Sequence, residues 1–267
     1  MKTILPEELN VIQLNILDDI HQYCVHNSIR YSLAFGSLIG AIRHHGYIPW
    51  DDDIDIMMPR PDYDVFINTF NGAYKHLVVD APELNWNYYA PYANVYDNRT
   101  LLLEGSNGHR GLELGIKIDV FPIDGTPESN TEYEQLRKEI WHLNGILYAK
   151  RRLLKLDTES FPYLKTRIKY CFKSYVRVQK EIAGLLASHP FSTSSFADEL
   201  AFNPYLKSSS RVPVTVYEKY IDVYFEDRYY RAIADYDSFL TNVYGDYMRL
   251  PPKEKQIPHH GFTAFWK

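Results

Sequence analysis

Cysteine is nearly absent: Cys24 and Cys171 are the only two in 267 residues. They stand far apart with no Cys-x-x-Cys and no close histidine partner, so neither a disulfide framework nor a cysteine-built structural zinc site is signalled. Positive charge is also short, with 29 Lys and Arg against 34 Asp and Glu and a net charge of -5. A general nucleic-acid binder needs a positive face to release phosphate counterions, so nucleic acid is not an expected partner. No apolar run approaches the roughly 18 residues of a membrane span. The start, Met1-Lys2-Thr3-Ile4-Leu5-Pro6-Glu7-Glu8, turns acidic before any apolar signal region can form, so the expected location is the cytoplasm. What remains is an ordinary globular composition, 45% hydrophobic and 24% charged, long enough to bury a substantial core. Tyrosine is in excess at 23 residues, which suits polar-tipped aromatic surfaces for carbohydrate or cationic ligands, although many will be packing.

Apolar residues at helical spacing (Leu9, Ile12, Ile16, Ile20, Tyr23) after Pro6 predict a first helix over 9–25. Tyr31 to Phe35 reads as a strand ending at Gly36-Ser37, and Leu38 to His44 can wind a helical turn or two. A strand follows at Ile54 to Met58, then a helix from Pro61 to Phe70, with proline in its first turn. Strand-like pieces lie at 76–79, 93–96, 100–103 and 116–121, around a Gly-rich loop at 105–115. The capping candidates Ser129, Asn130 and Thr131 open a long helix over 132–154. Leu164, Ile168, Cys171, Tyr175, Val178, Ile182 and Leu185 make the apolar stripe of another. The segment 212–225 is strand-rich, and Tyr236 to Tyr244 is a terminal helix closed by Gly245. The expected fold class is α+β, a mixed sheet with flanking helices. A core over 1–127 carries a mostly helical addition over 128–210 and a segment, 211–267, returning to the core.

The densest unusual feature is Trp50-Asp51-Asp52-Asp53-Ile54-Asp55-Ile56, four carboxylates entering an apolar strand. Their mutual repulsion is costly unless something positive binds. In an extended chain Asp51, Asp53 and Asp55 share one face, opposite Asp52 and Ile54. Two such carboxylates beside a third from a neighbouring strand form a hard oxygen site for Mg²⁺ or Mn²⁺. The natural third is Asp119, set in Ile116-Lys117-Ile118-Asp119-Val120-Phe121. Gly36-Ser37 sits where a strand turns into a helix, so its backbone N–H groups can cradle a phosphate. Together these point to phosphoryl transfer. An EF-hand loop starting at Asp51 fails, because its sixth position is Ile56 and its twelfth Asp62. A solvated acidic turn stays open for Asp51 and Asp52, and the Asp-x-Asp pair also suits a sugar-nucleotide glycosyltransferase.

The run from Phe35-Gly36-Ser37-Leu38-Ile39-Gly40 through Arg43-His44-His45-Gly46 to Pro49-Trp50-Asp51-Asp52-Asp53-Ile54-Asp55 resembles the signature of the LicD family of phosphocholine transferases, related to fukutin. Lys117 to Asp124 and a C-terminal block, Tyr244-Gly245-Asp246-Tyr247-Met248 with Leu250-Pro251-Pro252 and His259-His260, are similar to it too. The resemblance implies a nucleotidyltransferase-like fold, with Asp53, Asp55 and, by position, Asp119 as metal-binding and catalytic carboxylates. It also implies transfer of phosphocholine, or phosphoethanolamine, from CDP-choline or CDP-ethanolamine to a hydroxyl of a surface glycan or lipid-linked glycan, releasing CMP. Lipopolysaccharide, capsular polysaccharide and teichoic acid are the acceptor classes in view.

On that reading Gly36 and Ser37 bind donor phosphate, Arg43 is a second phosphate anchor, and Asp119 is the first candidate to accept the acceptor's proton. Trp50, which borders the metal motif, is a further substrate-binding candidate. A choline head group needs an aromatic cage, for which Trp86, Tyr88, Tyr89, Tyr92 and Tyr96 are the richest stretch, with Tyr88 and Tyr92 as its first candidates. The stretch 150–180 holds ten Lys or Arg against Asp157 and Glu159. Lys165, Lys169, Lys173 and Arg177 recur at four-residue spacing, the pattern of a solvated helix face or of peripheral contact with anionic lipid at the inner membrane surface. The rival readings are the glycosyltransferase, transfer of a nucleotide itself, and a non-catalytic, metal-dependent glycan-binding protein.

Overall fold

The chain enters on a short strand, β1 (Lys2–Ile4), and Pro6 starts helix α1 (Pro6–His26), whose Leu9, Ile12, Ile16 and Ile20 are buried one turn after another. β2 (Ser32–Leu33), α2 (Phe35–Ile39) and a π-helical turn (Gly40–His44) lead to β3 (Asp55–Pro59) and α3 (Arg60–Thr69). Then come β4 (Leu77–Asp80), β5 (Ala93–Asp97), β6 (Thr100–Glu104) and the long β7 (Lys117–Thr126). Helices α4 (Asn130–Arg151), α5 (Phe161–Lys169) and α6 (Tyr175–Leu186) precede β8 (Phe196–Asp198), β9 (Val212–Pro213), β10 (Tyr220–Phe225) and β11 (Arg228–Ile233). Last are α7 (Tyr236–Tyr244) and β12 (Phe262–Trp266). This computed structural model describes residues 1–104, 114–151, 161–202, 210–257 and 262–267; most of the Gly-rich loop, Arg152, Lys155, His259 and His260 lie outside them.

The central mixed sheet runs β2-β3-β7-β5-β4, with β8 and β9 continuing from the far end of β7. Only β3 and β7 pair in parallel, and they read as nearly continuous apolar runs because both faces are covered. Pro122 is accommodated inside β7 because it falls between the stretch laddered to β5 and the stretch laddered to β8, where its missing N–H breaks neither antiparallel ladder. A second sheet, β1-β12-β6, and the β10-β11 hairpin complete the α+β architecture. The main core gathers α1, the central sheet, α3 and α7, while a smaller one packs Leu136, Ile140 and Leu143 of α4 on Val178, Ile182 and Leu186 of α6.

The single helix expected from Leu164 to Leu185 is two helices. Ser174 is the N-cap of α6, its hydroxyl accepting the Arg177 backbone N–H at 3.1 Å. The break turns α5 back on α4, where the Arg167 guanidinium donates to the carbonyls of Ala149 (2.6 Å) and Lys150 (2.9 Å). The four-residue row of positive charges is therefore no single helix face: Lys165 and Lys169 belong to α5, while Lys173 and Arg177 both pair with Glu181. No helix of the described residues is long and apolar enough to cross a membrane.

Candidate active site

The site is built where β2 hands over to a tight helical bend. Phe35 takes a φ of 43°, unusual for a residue with a side chain and a mark of strain held by its surroundings. Two residues on, the Ser37 hydroxyl accepts the backbone N–H of Asp55 at 2.9 Å, which ties the bend to the first residue of β3. The loop between them folds closely over the bend. A Cβ on Gly36 would stand 2.5 Å from Asp51 Oδ2, and one on Gly40 would overlap the Gly46 carbonyl oxygen. Further supports fix this loop: Tyr47 N–H donates to Glu226 Oε1 at 3.0 Å from the hairpin tip, and Gln13 Nε2 of α1 donates to the Asp52 carbonyl at 3.1 Å. Gly40→Ala is therefore expected to cost about 1–3 kcal/mol through overpacking against backbone. Guanidinium denaturation followed by circular dichroism checks this, and an unchanged midpoint would show that the loop can yield.

Because β3 and β7 pair in parallel, Asp55 stands opposite Asp119; because β5 pairs antiparallel to β7, Asn94 stands opposite Asp119 on its other side. Three polar residues thus lie in one row across three buried strands. Asp119 is well provided with donors: Asn94 Nδ2 and Lys117 Nζ both reach its Oδ1, the lysine at 2.5 Å, and the Tyr92 hydroxyl also bonds it. Asn94, fully buried, in turn accepts from the hydroxyls of Tyr88 and Tyr89, the latter at 2.7 Å. Among the described residues no donor reaches the Asp55 carboxylate in that way. Burial first, and then the like charges of Asp53 and Asp119, hold its carboxyl well above the usual carboxylate range, with Lys117 pulling the other way.

The alternation expected for Asp51 to Asp55 does not apply, because β3 begins only at Asp55 and the residues before it are irregular. Freed from the pleat, Asp52 joins its neighbours: oxygens of Asp51, Asp52 and Asp53 lie within 4.8 Å of one another. Tyr244, at the end of α7, faces the same charges. The residue is 43% exposed overall, yet desolvation toward the acidic loop, then Asp55, Asp51 and Asp53, raise its phenol above the ordinary value.

Carboxylate oxygens suit a hard divalent cation; among the described residues the three acids whose oxygens converge are Asp51, Asp52 and Asp53, while Asp55 stands opposite Asp119 across the paired strands.

Other expected site residues fall out differently. Tyr88 is fully buried behind Asn94, so its ring offers no face to a ligand and its part is to hold the amide that holds Asp119. Arg43 donates through Nη1 to the Tyr247 carbonyl at 2.5 Å and through Nε to His44 Nδ1 at 3.3 Å, clamping the segment after α7 onto the π turn. Trp50 is half-buried, with its ring edge-on to His44 at 6.3 Å. Tyr92 is half-buried against Phe121, 4.4 Å between ring centres, and keeps its hydroxyl at Asp119. Asn94, Lys117 and Tyr244 were not singled out by sequence. Lys117 had a signal, since it lies two residues before Asp119 and so on the same face of β7.

A strained bend is thus locked to a carboxylate-bearing parallel strand pair on a mixed sheet with flanking helices. A family model described as LicD/FKTN/FKRP, nucleotidyltransferase domain, matches residues 28–162, which include the bend, β3 and β7. The chain belongs to the LicD family. It is 32% identical over 270 aligned residues, 99% of each chain, to a Haemophilus influenzae protein named lipopolysaccharide cholinephosphotransferase LicD. Over 47 residues, 18% of this chain and of the relative, it is 43% identical to an uncharacterised protein of Rickettsia prowazekii.

Proposed function

We propose that this chain transfers phosphocholine, or the closely related phosphoethanolamine, from a CDP-activated donor to a hydroxyl of a cell-surface glycan. The observation that carries the reading is the pairing of Asp55 with Asp119 in register beside a bend whose serine is bonded to Asp55, in a chain that aligns end to end with a cholinephosphotransferase. Asp53, Asp55 and Asp119 would hold Mg²⁺ or Mn²⁺. When bound, such an ion neutralises the diphosphate and lowers the pKa of the acceptor hydroxyl.

The chain's own residues do the rest. The first N–H groups of the bend, at Gly36 and Ser37, have no helical carbonyl to bond and suit a phosphate oxygen. Lys117, on the face of Asp119, adds positive charge where the leaving phosphate gathers negative charge. Trp50 beside the acidic loop and Tyr92 beside Asp119 give the donor aromatic surface. The acceptor oxygen attacks the phosphorus that carries choline, the bond from that phosphorus to the bridging oxygen breaks, CMP leaves, and the hydroxyl proton passes to Asp119.

Incubation with CDP-choline, CDP-ethanolamine, UDP- and GDP-sugars and a glycan acceptor tests this. CMP appearing in step with a phosphorylated acceptor is expected. UDP or GDP with a new glycosidic bond would mean a glycosyltransferase, a nucleotidylated acceptor a nucleotide transferase, and acceptor binding without donor turnover a glycan-binding protein.

A lipid-linked acceptor would bring the enzyme to the cytoplasmic membrane surface, and the α5–α6 turn suits that contact. Phe172 is 99% and Ile168 66% exposed, beside Lys165 and Lys169. Sedimentation with anionic vesicles is expected to fall several-fold for Phe172→Ser and on charge reversal at Lys165 and Lys169. Equal sedimentation with neutral vesicles rules the contact out.

A further inference from the structure

His44 and His45, between the bend and the acidic loop, have no part in the chemistry at the carboxylates. His45 takes a φ of 60°, and the β10–β11 hairpin shows what holds it there. Its carbonyl accepts the Glu226 N–H at 2.8 Å, and the Tyr47 N–H donates back to Glu226 Oε1 at 3.0 Å. A Cβ on Gly46, between the two, would overlap the Glu226 carboxylate. Phe225 packs on Tyr47 with 5.2 Å between ring centres. The hairpin tip is thereby fixed to the loop that carries Asp51 to Asp53.

The hairpin turns a ring-bearing face to solvent. Its register sets Asp222 opposite Arg231 and Tyr224 opposite Tyr229, and residues opposite one another in an antiparallel pair share a face. The alternate residues Val223 and Phe225 are buried, so this face points outward. Tyr224 is 42% and Tyr229 63% exposed, with 5.4 Å between their ring centres. From Tyr224 the next ring is that of the exposed His45, 6.4 Å away. His44 follows in the chain, its ring 6.3 Å from Trp50, and Trp50 adjoins Asp51. Five rings, none of them fully buried, thus lead from the outer face of the hairpin to the acidic loop.

The neighbours of the rings decide what the row takes. Tyrosine offers a rigid apolar face with a polar tip. Beside the tyrosine pair, Arg231 Nε meets Asp222 at 3.3 Å, with both side chains open to solvent. A pyranose matches both features. Its C–H face lies on a ring, while its hydroxyls accept from a guanidinium and donate to a carboxylate. An acyl chain would use the rings alone and strip water from the ion pair. A nucleotide or an anionic bilayer would bring negative charge against Asp222, Glu226 and Asp227.

We infer that this row of rings seats the saccharide chain of the acceptor glycan and delivers its reacting end to the acidic loop at Trp50. The inference rests on the phosphocholine-transfer reading and deepens it, giving the acceptor a place to bind.

The test is steady-state kinetics with CDP-choline, Mg²⁺ and two acceptors, a delipidated lipopolysaccharide oligosaccharide and the single sugar methyl galactoside. The parent is compared with Tyr229→Ala and with the double variant Tyr224→Ala, Tyr229→Ala. Both rings are exposed, so the variants are expected to melt close to the parent, and Tyr229→Ala, the more exposed position, carries the test if the double variant does not fold. KM for the oligosaccharide should rise about 5- to 30-fold in the double variant, the effect of losing one or two aromatic anchors. KM for CDP-choline, kcat and turnover of methyl galactoside should stay at the parent values. An unchanged KM for the oligosaccharide in the folded variants overturns the assignment. So does a fall in kcat shared by both acceptors, which would give the rings a role in supporting the loop. A parent chain that releases no CMP from CDP-choline with either acceptor defeats the transfer reading itself, and the glycan row with it.

Discussion

Asp55→Asn is expected to abolish transfer while leaving the protein at least as stable as the parent. The activity loss should be about 10³-fold or more in kcat if Asp55 holds the proposed cation, since such a charge is worth several kcal/mol in the transition state. The stability follows from the opposite side of the same crowding. An aspartate whose carboxyl is raised by burial and by Asp53 and Asp119 is harder to ionise folded than unfolded. It therefore opposes folding at neutral pH, an effect that fades as pH falls to the unfolded value. An amide removes that opposition, so the variant should melt at or above the parent temperature without added metal. A melting point several degrees below the parent would mean that the carboxylate supports the fold.

Asn94→Leu has the opposite profile, a large loss of stability joined to a loss of activity. The amide accepts from two buried tyrosine hydroxyls and donates to Asp119. Leucine fills a similar volume but takes from the hydroxyls of Tyr88 and Tyr89 their acceptor and from Asp119 one of its three donors. At about 1–3 kcal/mol for a stranded buried polar group, the expected cost is about 2–5 kcal/mol. Urea denaturation measures it. Adding Tyr88→Phe should recover part of the loss, since it removes one of the stranded hydroxyls; a double variant no more stable than Asn94→Leu would show that this hydroxyl finds water instead.

These two residues also mark how far the sequence could be read. Asp55 and Asp119 are legible because each is a carboxylate set in an otherwise apolar strand pattern, and the bend is legible because Gly-Ser follows a strand. The first and last main helices are equally plain, α1 from its apolar spacing after Pro6 and α7 from Gly245 at its end. Asn94 is silent, since Ala93-Asn94-Val95 looks like any strand with a polar position, and only the antiparallel register of β5 on β7 brings it to Asp119. Tyr244 lies in the C-terminal block that resembles the family but was given no part in the site, because no local pattern reveals where the helix that carries it docks. The split of α5 from α6 had a local signal in Ser174, but the apolar spacing ran on through it and masked the cap. The faces of Asp51 to Asp53 were misread because strand alternation was extended one turn too far upstream. Local pattern thus names the chemistry-bearing residues, while the groups that orient them come from pairing between distant segments.

The claim on which the rest depends is that Asp53, Asp55 and Asp119 together hold a divalent cation at the donor diphosphate. Mn²⁺ binding followed by electron paramagnetic resonance, with and without CMP, tests it most directly when the parent is set beside Asp53→Asn, Asp55→Asn and Asp119→Asn. Tight Mn²⁺ binding that CMP strengthens in the parent, and that each substitution weakens at least 10-fold (~1.4 kcal/mol) in a folded protein, is the expected result. Undiminished Mn²⁺ binding in all three variants, or parent turnover that continues at full rate in excess chelator, would contradict it.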